Sequence, residues 1–212
     1  MKKIIFDMGM VLVDFRWERF LEELGYHGEK KERLAKAVFQ NPLWQQFDLG
    51  LMGDENIIAQ MKKEAPGEAE AIDRIWDKKN FHRICRPLPY TEKLLHSLYE
   101  RGYKLYILSN YGKTLLEAER KEFTFLRYIE GGVFSWEVNQ IKPNADIYET
   151  LIKKYNLDPQ DMVFFDDLKA NCDGAKQAGI TAVKVHGLSD ILEGLKKYCG
   201  IELPELAEGK DR

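Results

Sequence analysis

A chain of 212 residues can bury a sizeable core, as one domain or as one domain carrying an insertion. With 44% hydrophobic and 32% charged residues it is not a disordered chain, and a formal net charge of -3 gives no field of the kind that gathers nucleic acid. Cys85, Cys172 and Cys199 are odd in number and far apart, with neither zinc nor disulfide spacing, so they read as reduced thiols.

The first element is a short apolar strand, Lys3–Asp7, ending on a carboxylate before a turn, Met8-Gly9-Met10. Lys2 and Lys3 ahead of Ile4, Ile5 and Phe6 imitate the start of a signal peptide, but Asp7 breaks the apolar run too early. No long apolar segment follows. The expectation is a cytoplasmic protein without a membrane partner, a monomer or small homo-oligomer.

Residues 16–85 hold helix-period apolar patterns, among them Phe20, Leu21 and Leu24, then Leu34, Ala37 and Val38, then Ile57, Ile58 and Met61. No strand signal interrupts them, and the segment reads as a helical insertion of about four helices. Arg86-Pro87-Leu88-Pro89 marks the return, because each proline drives its predecessor out of helical geometry.

From Tyr90 onward helices expected at 90–101, 112–121, 144–155, 169–178 and 188–198 alternate with strands at Lys104–Ser109, Gly132–Ser135, Met162–Asp166 and Thr181–Val185. Apolar runs that switch abruptly to polar residues, IIFD, LYILSN and MVFFDD, suit parallel strands buried on both faces with their carboxyl ends at a ligand crevice. The fold class is therefore α/β, a parallel sheet with right-handed crossovers flanked by helices, with a helical insertion after the first strand. Residues 1–15 and 86–212 form the core and 16–85 the insertion. The tail from Ile201 is polar, contains Pro204 and is expected to fray.

Polar groups stand at the ends of these strands: Asp7, then Ser109 and Asn110, then Lys142-Pro143 before a helix, then Asp166 and Asp167. Singly, each has a structural explanation as a turn residue, a helix cap or a surface lysine. In this order, FDxGxVLVD, LSN, KPxxxIY and FFDDxxxN resemble the haloacid dehalogenase-like hydrolases over residues 3 to about 185. The segment WQQFDLGLMGDENI is similar to a cap feature of sugar-phosphate phosphatases of the α-D-glucose-1-phosphatase type, which also carry glycine at the second motif position.

The resemblance implies a Rossmann-like parallel sheet flanked by helices, with residues 16–85 as a small helical cap inserted after the first strand, and a magnesium-dependent phosphatase acting on a small phosphorylated metabolite through an aspartyl-phosphate. Asp7 is then the nucleophile, which divides one hard displacement into two easier ones. Lys142 and magnesium offset the negative charge of carboxylate and phosphate. The metal ligands are Asp7, the Gly9 carbonyl and Asp167, with Asp166 acting from behind, and Asn171 bracing the aspartate loop. Ser109 donates its hydroxyl and Asn110 its backbone amide to the phosphate.

Glycine at position 9 departs from the D-x-D pattern, whose second aspartate protonates the leaving alkoxide. Its absence costs on the order of 10²–10⁴-fold in proton-transfer assistance. That loss is smallest for an acidic leaving group, which favours a sugar 1-phosphate. Otherwise an acid arrives from elsewhere, with Asp14 and Asp48 as candidates. The rival readings are a 2-haloacid dehalogenase-type hydrolase, against which the Asp166-Asp167 pair counts, and a non-catalytic sugar-phosphate-binding protein. Asn139, before the lysine loop, stands where the family often has glycine, and asparagine tolerates the positive φ this implies.

Overall fold

The computed structural model describes residues 2–207. Among them, five parallel strands form one sheet in the order β5-β4-β1-β6-β7. They are β1 Lys3–Phe6, β4 Leu105–Ser109, β5 Gly131–Phe134, β6 Met162–Asp166 and β7 Thr181–Lys184. The central β1 pairs Ile5 with Tyr106 on one side and with Phe164 on the other. Every residue of β4 and β6 is buried, as continuous apolar runs demand when helices cover both faces.

Those helices are α7 Thr91–Glu100, α8 Lys113–Glu119, α10 Ala145–Tyr155, α11 Lys169–Gln177 and α12 Leu188–Cys199, with a short α9 at Ser135–Val138. Each expected helix lies within two residues of its anticipated bounds. Their apolar faces divide between the two sides of the sheet: Leu94, Leu95, Ile191 and Leu195 join the Ile4 and Phe6 side, while Ile147, Leu151 and Ala175 join the Ile5 side.

Between β1 and β4 the chain is helical, as expected, but more finely divided. It forms α1 Trp17–Glu23, α2 Gly28–Ala37, α3 Pro42–Leu49, α4 Asp54–Glu64, α5 Ala69–Ile75 and α6 Lys78–Phe81. Gly25, with φ 88, and Gly50, with φ 71, end two of these helices in the left-handed region. Gly50 also lies so close to Trp136 that a Cβ would come within 2.9 Å of it. An aromatic cluster of Phe39, Trp44, Phe47 and Trp76, with ring centroids 4.9 to 5.9 Å apart, fills the segment's interior.

Two expectations need correction. The chain leaves and re-enters the sheet through a two-stranded antiparallel ribbon, β2 Val13–Phe15 with β3 Cys85–Pro87, where a turn and a proline hinge were anticipated. The tail, expected to fray from Ile201, is docked through residue 206: Ile201, Leu203 and Leu206 are buried, and main-chain carbonyls of Glu202 and Glu205 accept from Arg101 and Lys93 on α7. The remainder of that expectation, residues 208–212, lies outside the described residues. No helix among the described residues is long and apolar enough to cross a membrane.

Candidate active site

The carboxyl ends of β1, β4 and β6 bring the strand-terminal polar groups to one edge of the sheet. Asp7 follows β1 directly, and its N–H still bonds the Phe165 carbonyl at 2.9 Å, so the ladder fixes the backbone from which the carboxylate projects. The chain then turns within one tight loop, in which the Met8 carbonyl accepts from the N–H groups of Val11, Leu12 and Val13. Met10 pays the local strain of that turn at φ 56, a left-handed conformation unusual outside glycine and asparagine.

Lys142 is almost wholly buried, and its ammonium reaches two carboxylates: Asp166 Oδ2 at 2.7 Å and Asp7 Oδ1 at 3.0 Å. Asn110 fixes the lysine's backbone reciprocally, donating to its carbonyl at 3.0 Å and accepting from its N–H at 2.9 Å. Gly174 on α11 allows the Pro143 carbonyl to approach to where a Cβ would stand 2.5 Å away, which holds the lysine loop against the Asp166 loop. Asn139 indeed adopts φ 53 at the end of α9.

Asp166 has no exposed surface and accepts from Lys142 Nζ, the Leu168 N–H and the Asn171 amide, so its oxygens are committed to the protein. Asp167, half-buried, faces the cavity instead. Ser109, also without exposed surface, donates its hydroxyl to Asp7 Oδ1 at 2.6 Å. Asp7, Gly9, Asn110, Lys142, Asp167 and Asn171 all border one cavity of about 530 Å³, while Ser109 and Asp166 stand behind its wall.

Oxygens of Asp7, Asp166 and Asp167 lie within 4.8 Å of one another, and the Lys142 ammonium pairs with two of the three carboxylates. Burial, reinforced by Asp166, outweighs the pull of Lys142 and pushes Asp7 up to about 7. Burial and then Asp166 likewise raise Asp167. Burial opposes the charge on Lys142, yet Asp7 and Asp166 more than offset it and hold the ammonium above its usual range. The cluster is thus short of positive charge, and its donors are all oxygen, a combination that fits a hard divalent cation.

The helical segment and its flanks line the same cavity through Phe15, Phe39, Gln40, Trp44, Gln45 and Asp48, joined by Tyr111 and Leu115 from the core. Among the tryptophans near this surface, Trp44 borders the cavity, Trp17 stacks on Phe39 at 5.4 Å, and Trp136 packs against Gly50. Residue types alone do not single out Phe15, Phe39 or Tyr111, because aromatics in helix-period segments read as core.

A family model described as haloacid dehalogenase-like hydrolase matches residues 4–185, most of the chain. The chain belongs to the haloacid dehalogenase-like hydrolases. It is 25% identical over 199 residues to a phosphorylated carbohydrates phosphatase of Thermotoga maritima, covering 90% of this chain and 88% of the relative. It is also 34% identical over 71 residues to the mouse bifunctional epoxide hydrolase 2, but that match covers only 34% of this chain and 13% of the mouse protein. Among solved structures, a haloacid dehalogenase family enzyme from Bacteroides thetaiotaomicron, in complex with magnesium and inorganic phosphate, shares the fold with a TM-score of 0.67 at 21% identity, covering 87% of this chain and 93% of the other.

Proposed function

We propose that this hydrolase is a magnesium-dependent phosphatase of a small phosphorylated carbohydrate, working through an aspartyl-phosphate on Asp7. The observation that carries the reading is the Asp7 carboxylate at the cavity wall, with the buried Lys142 ammonium 3.0 Å away and Asp167 in the same carboxylate cluster. The Thermotoga relative, named for phosphorylated carbohydrates, matches along nearly the whole chain. The neighbour that holds magnesium and inorganic phosphate shares the fold.

Asp7, the Gly9 carbonyl and Asp167 would hold the magnesium, which when bound supplies positive charge to the phosphate. Asp7 attacks phosphorus, and Lys142 balances the charge of nucleophile and phosphoryl oxygens. Asp166, its oxygens occupied by Lys142, Asn171 and Leu168, keeps the lysine in place, and Asn171 braces the loop. The Ser109 hydroxyl, which holds Asp7 in this structure, turns to the phosphate when one arrives, beside the Asn110 N–H. Residues 1–15 and 86–212 are the catalytic core; 16–85 form a cap whose wall selects the substrate. The crowded carboxylates disfavour the dehalogenase reading, since they would repel the carboxylate of a haloacid.

Within the carbohydrate class a sugar 1-phosphate is the first candidate. Its anomeric oxygen leaves as a weaker base than an ordinary alkoxide, so it asks least of any proton donor standing away from the Gly9 turn. The test is phosphate release over a panel of sugar 1-phosphates, sugar 6-phosphates, nucleotides and aryl phosphates, with and without magnesium. Asp7→Asn is expected to abolish turnover, and release that persists in that variant or in chelator overturns the reading. Glucose 1-phosphate is expected to exceed glucose 6-phosphate in kcat/KM; equal values would remove the 1-phosphate preference.

A further inference from the structure

We propose that Asp48, at the end of α3, is a further catalytic residue: the proton donor that protonates the leaving oxygen as the phosphate ester breaks, the task Gly9 leaves open. The inference rests on the phosphatase reading above. Its first support is space. A Cβ at Gly9 would meet no atom within 4 Å, so no neighbouring side chain has filled the place of a second carboxylate on that turn. Asp48 borders the same cavity as Asp7, Gly9 and Lys142, and does so from the inserted helical segment rather than from the strand ends. The other candidate acid, Asp14, sits in β2 in register with Arg86 and does not border the cavity.

The second support is the way Asp48 is held. Ser135 Oγ donates to the Asp48 carbonyl at 2.5 Å, and Asn139 Nδ2 to the Leu49 carbonyl at 3.1 Å, so the last turn of α3 is tied to the core at consecutive residues. Phe47 packs where a Cβ on Gly112 would lie 2.0 Å from its ring, and the Gly112 N–H backs the Asp48 carboxylate. A catalytic side chain reaching in from an inserted segment needs this kind of fixed footing.

The groups facing Asp48 also favour its protonated form. Burial first, and then the Asp7 carboxylate across the cavity, push it up to about 8, against the weaker pull of the Gly112 N–H and Lys142. Its place at the carboxyl end of a helix adds to the same side. Both influences act in the direction a proton donor needs.

The steps balance. An Asp7 oxygen bonds to phosphorus, the bond from phosphorus to the leaving oxygen breaks, and the Asp48 proton passes to that oxygen, releasing an alcohol and leaving Asp48 as carboxylate. Water then attacks the aspartyl-phosphate and gives its proton to Asp48. The bond from Asp7 to phosphorus breaks, inorganic phosphate departs, and both side chains regain their starting states.

The test is kcat/KM, which reports steps only as far as release of the first product, for esters of graded leaving-group acidity from 4-nitrophenyl phosphate through glucose 1-phosphate to glucose 6-phosphate. Asp48→Asn is expected to lose on the order of 10²–10⁴-fold on glucose 6-phosphate and little on 4-nitrophenyl phosphate. The preference for the 1-phosphate over the 6-phosphate should widen, and Asp48→Glu should recover part of the loss. A loss equal across the series, which a purely structural role would give, overturns the proposal, as does no loss at all. Turnover that survives Asp7→Asn would instead bring down the phosphatase reading, whatever Asp48→Asn does, and the proposal would fall with it.

Discussion

Glu119 illustrates how much a single buried side chain can hide from a linear reading. It has no exposed surface; one oxygen accepts from the Cys85 N–H at 2.8 Å and the other from the Tyr111 hydroxyl. No ammonium or guanidinium is bonded to it in the described residues, and burial pushes it from 4.5 up to about 7. Because the folded form holds its proton more tightly than the unfolded chain, stability is greatest below about 4.5 and falls as pH rises toward 7. The shift corresponds to on the order of 3 kcal/mol. Glu119→Gln is thus expected to flatten this part of the dependence and to raise stability at pH 7.5 relative to pH 5, read as the difference in urea unfolding free energy from the parent. A difference that does not change with pH would refute the assignment. The residue's partners lie 34 and 8 positions away, so nothing in its helical neighbourhood announces the network.

At the scale of elements, α3 packs against the sheet-bearing part where Phe47 meets Gly112 and Gly50 meets Trp136. Gly112→Ala places a Cβ where the Phe47 ring already stands, and the overpacking is expected to cost roughly 1–3 kcal/mol and to loosen α3. Hydrogen exchange should show faster exchange at 47–50 than in the parent, while β1, β4 and β6 stay protected; unchanged protection would show that Phe47 can move aside cheaply. The longer elements were legible beforehand for a plain reason. β1, β4 and β6 are apolar on both faces and end on polar residues, a pattern that few other structures produce. The β2–β3 ribbon was not, because three-residue strands carry no usable period and their partners, such as Phe15 and Cys85, are remote in the chain. The site divides likewise. Asp7, Lys142 and the aspartate pair stand in motifs, whereas the aromatic wall is assembled only by folding.

For the whole molecule, the concentration of carboxylates at one edge predicts a coupling between metal and stability. A cation that binds the folded cluster and not the unfolded chain stabilises by about 2.7 kcal/mol at a hundredfold excess over its Kd, or several degrees in Tm for a chain of this size. Magnesium is therefore expected to raise Tm, and Asp167→Asn to abolish most of the rise; an equal rise in the variant would remove Asp167 from the ligand set. This measurement needs no substrate, which makes it independent of turnover.

The strand order has a consequence for how the chain is made. β1 is translated well before its two neighbours in the sheet, which begin at Leu105 and Met162. Throughout synthesis of the intervening helices its apolar residues have no strand beside them, and at about 5–20 residues per second that interval lasts many seconds. The middle strand of the sheet is translated before either strand that flanks it and is among the last to be fully paired, so a chain truncated before Met162 exposes the edge that later binds β6, and with it a route to association with other unfinished chains.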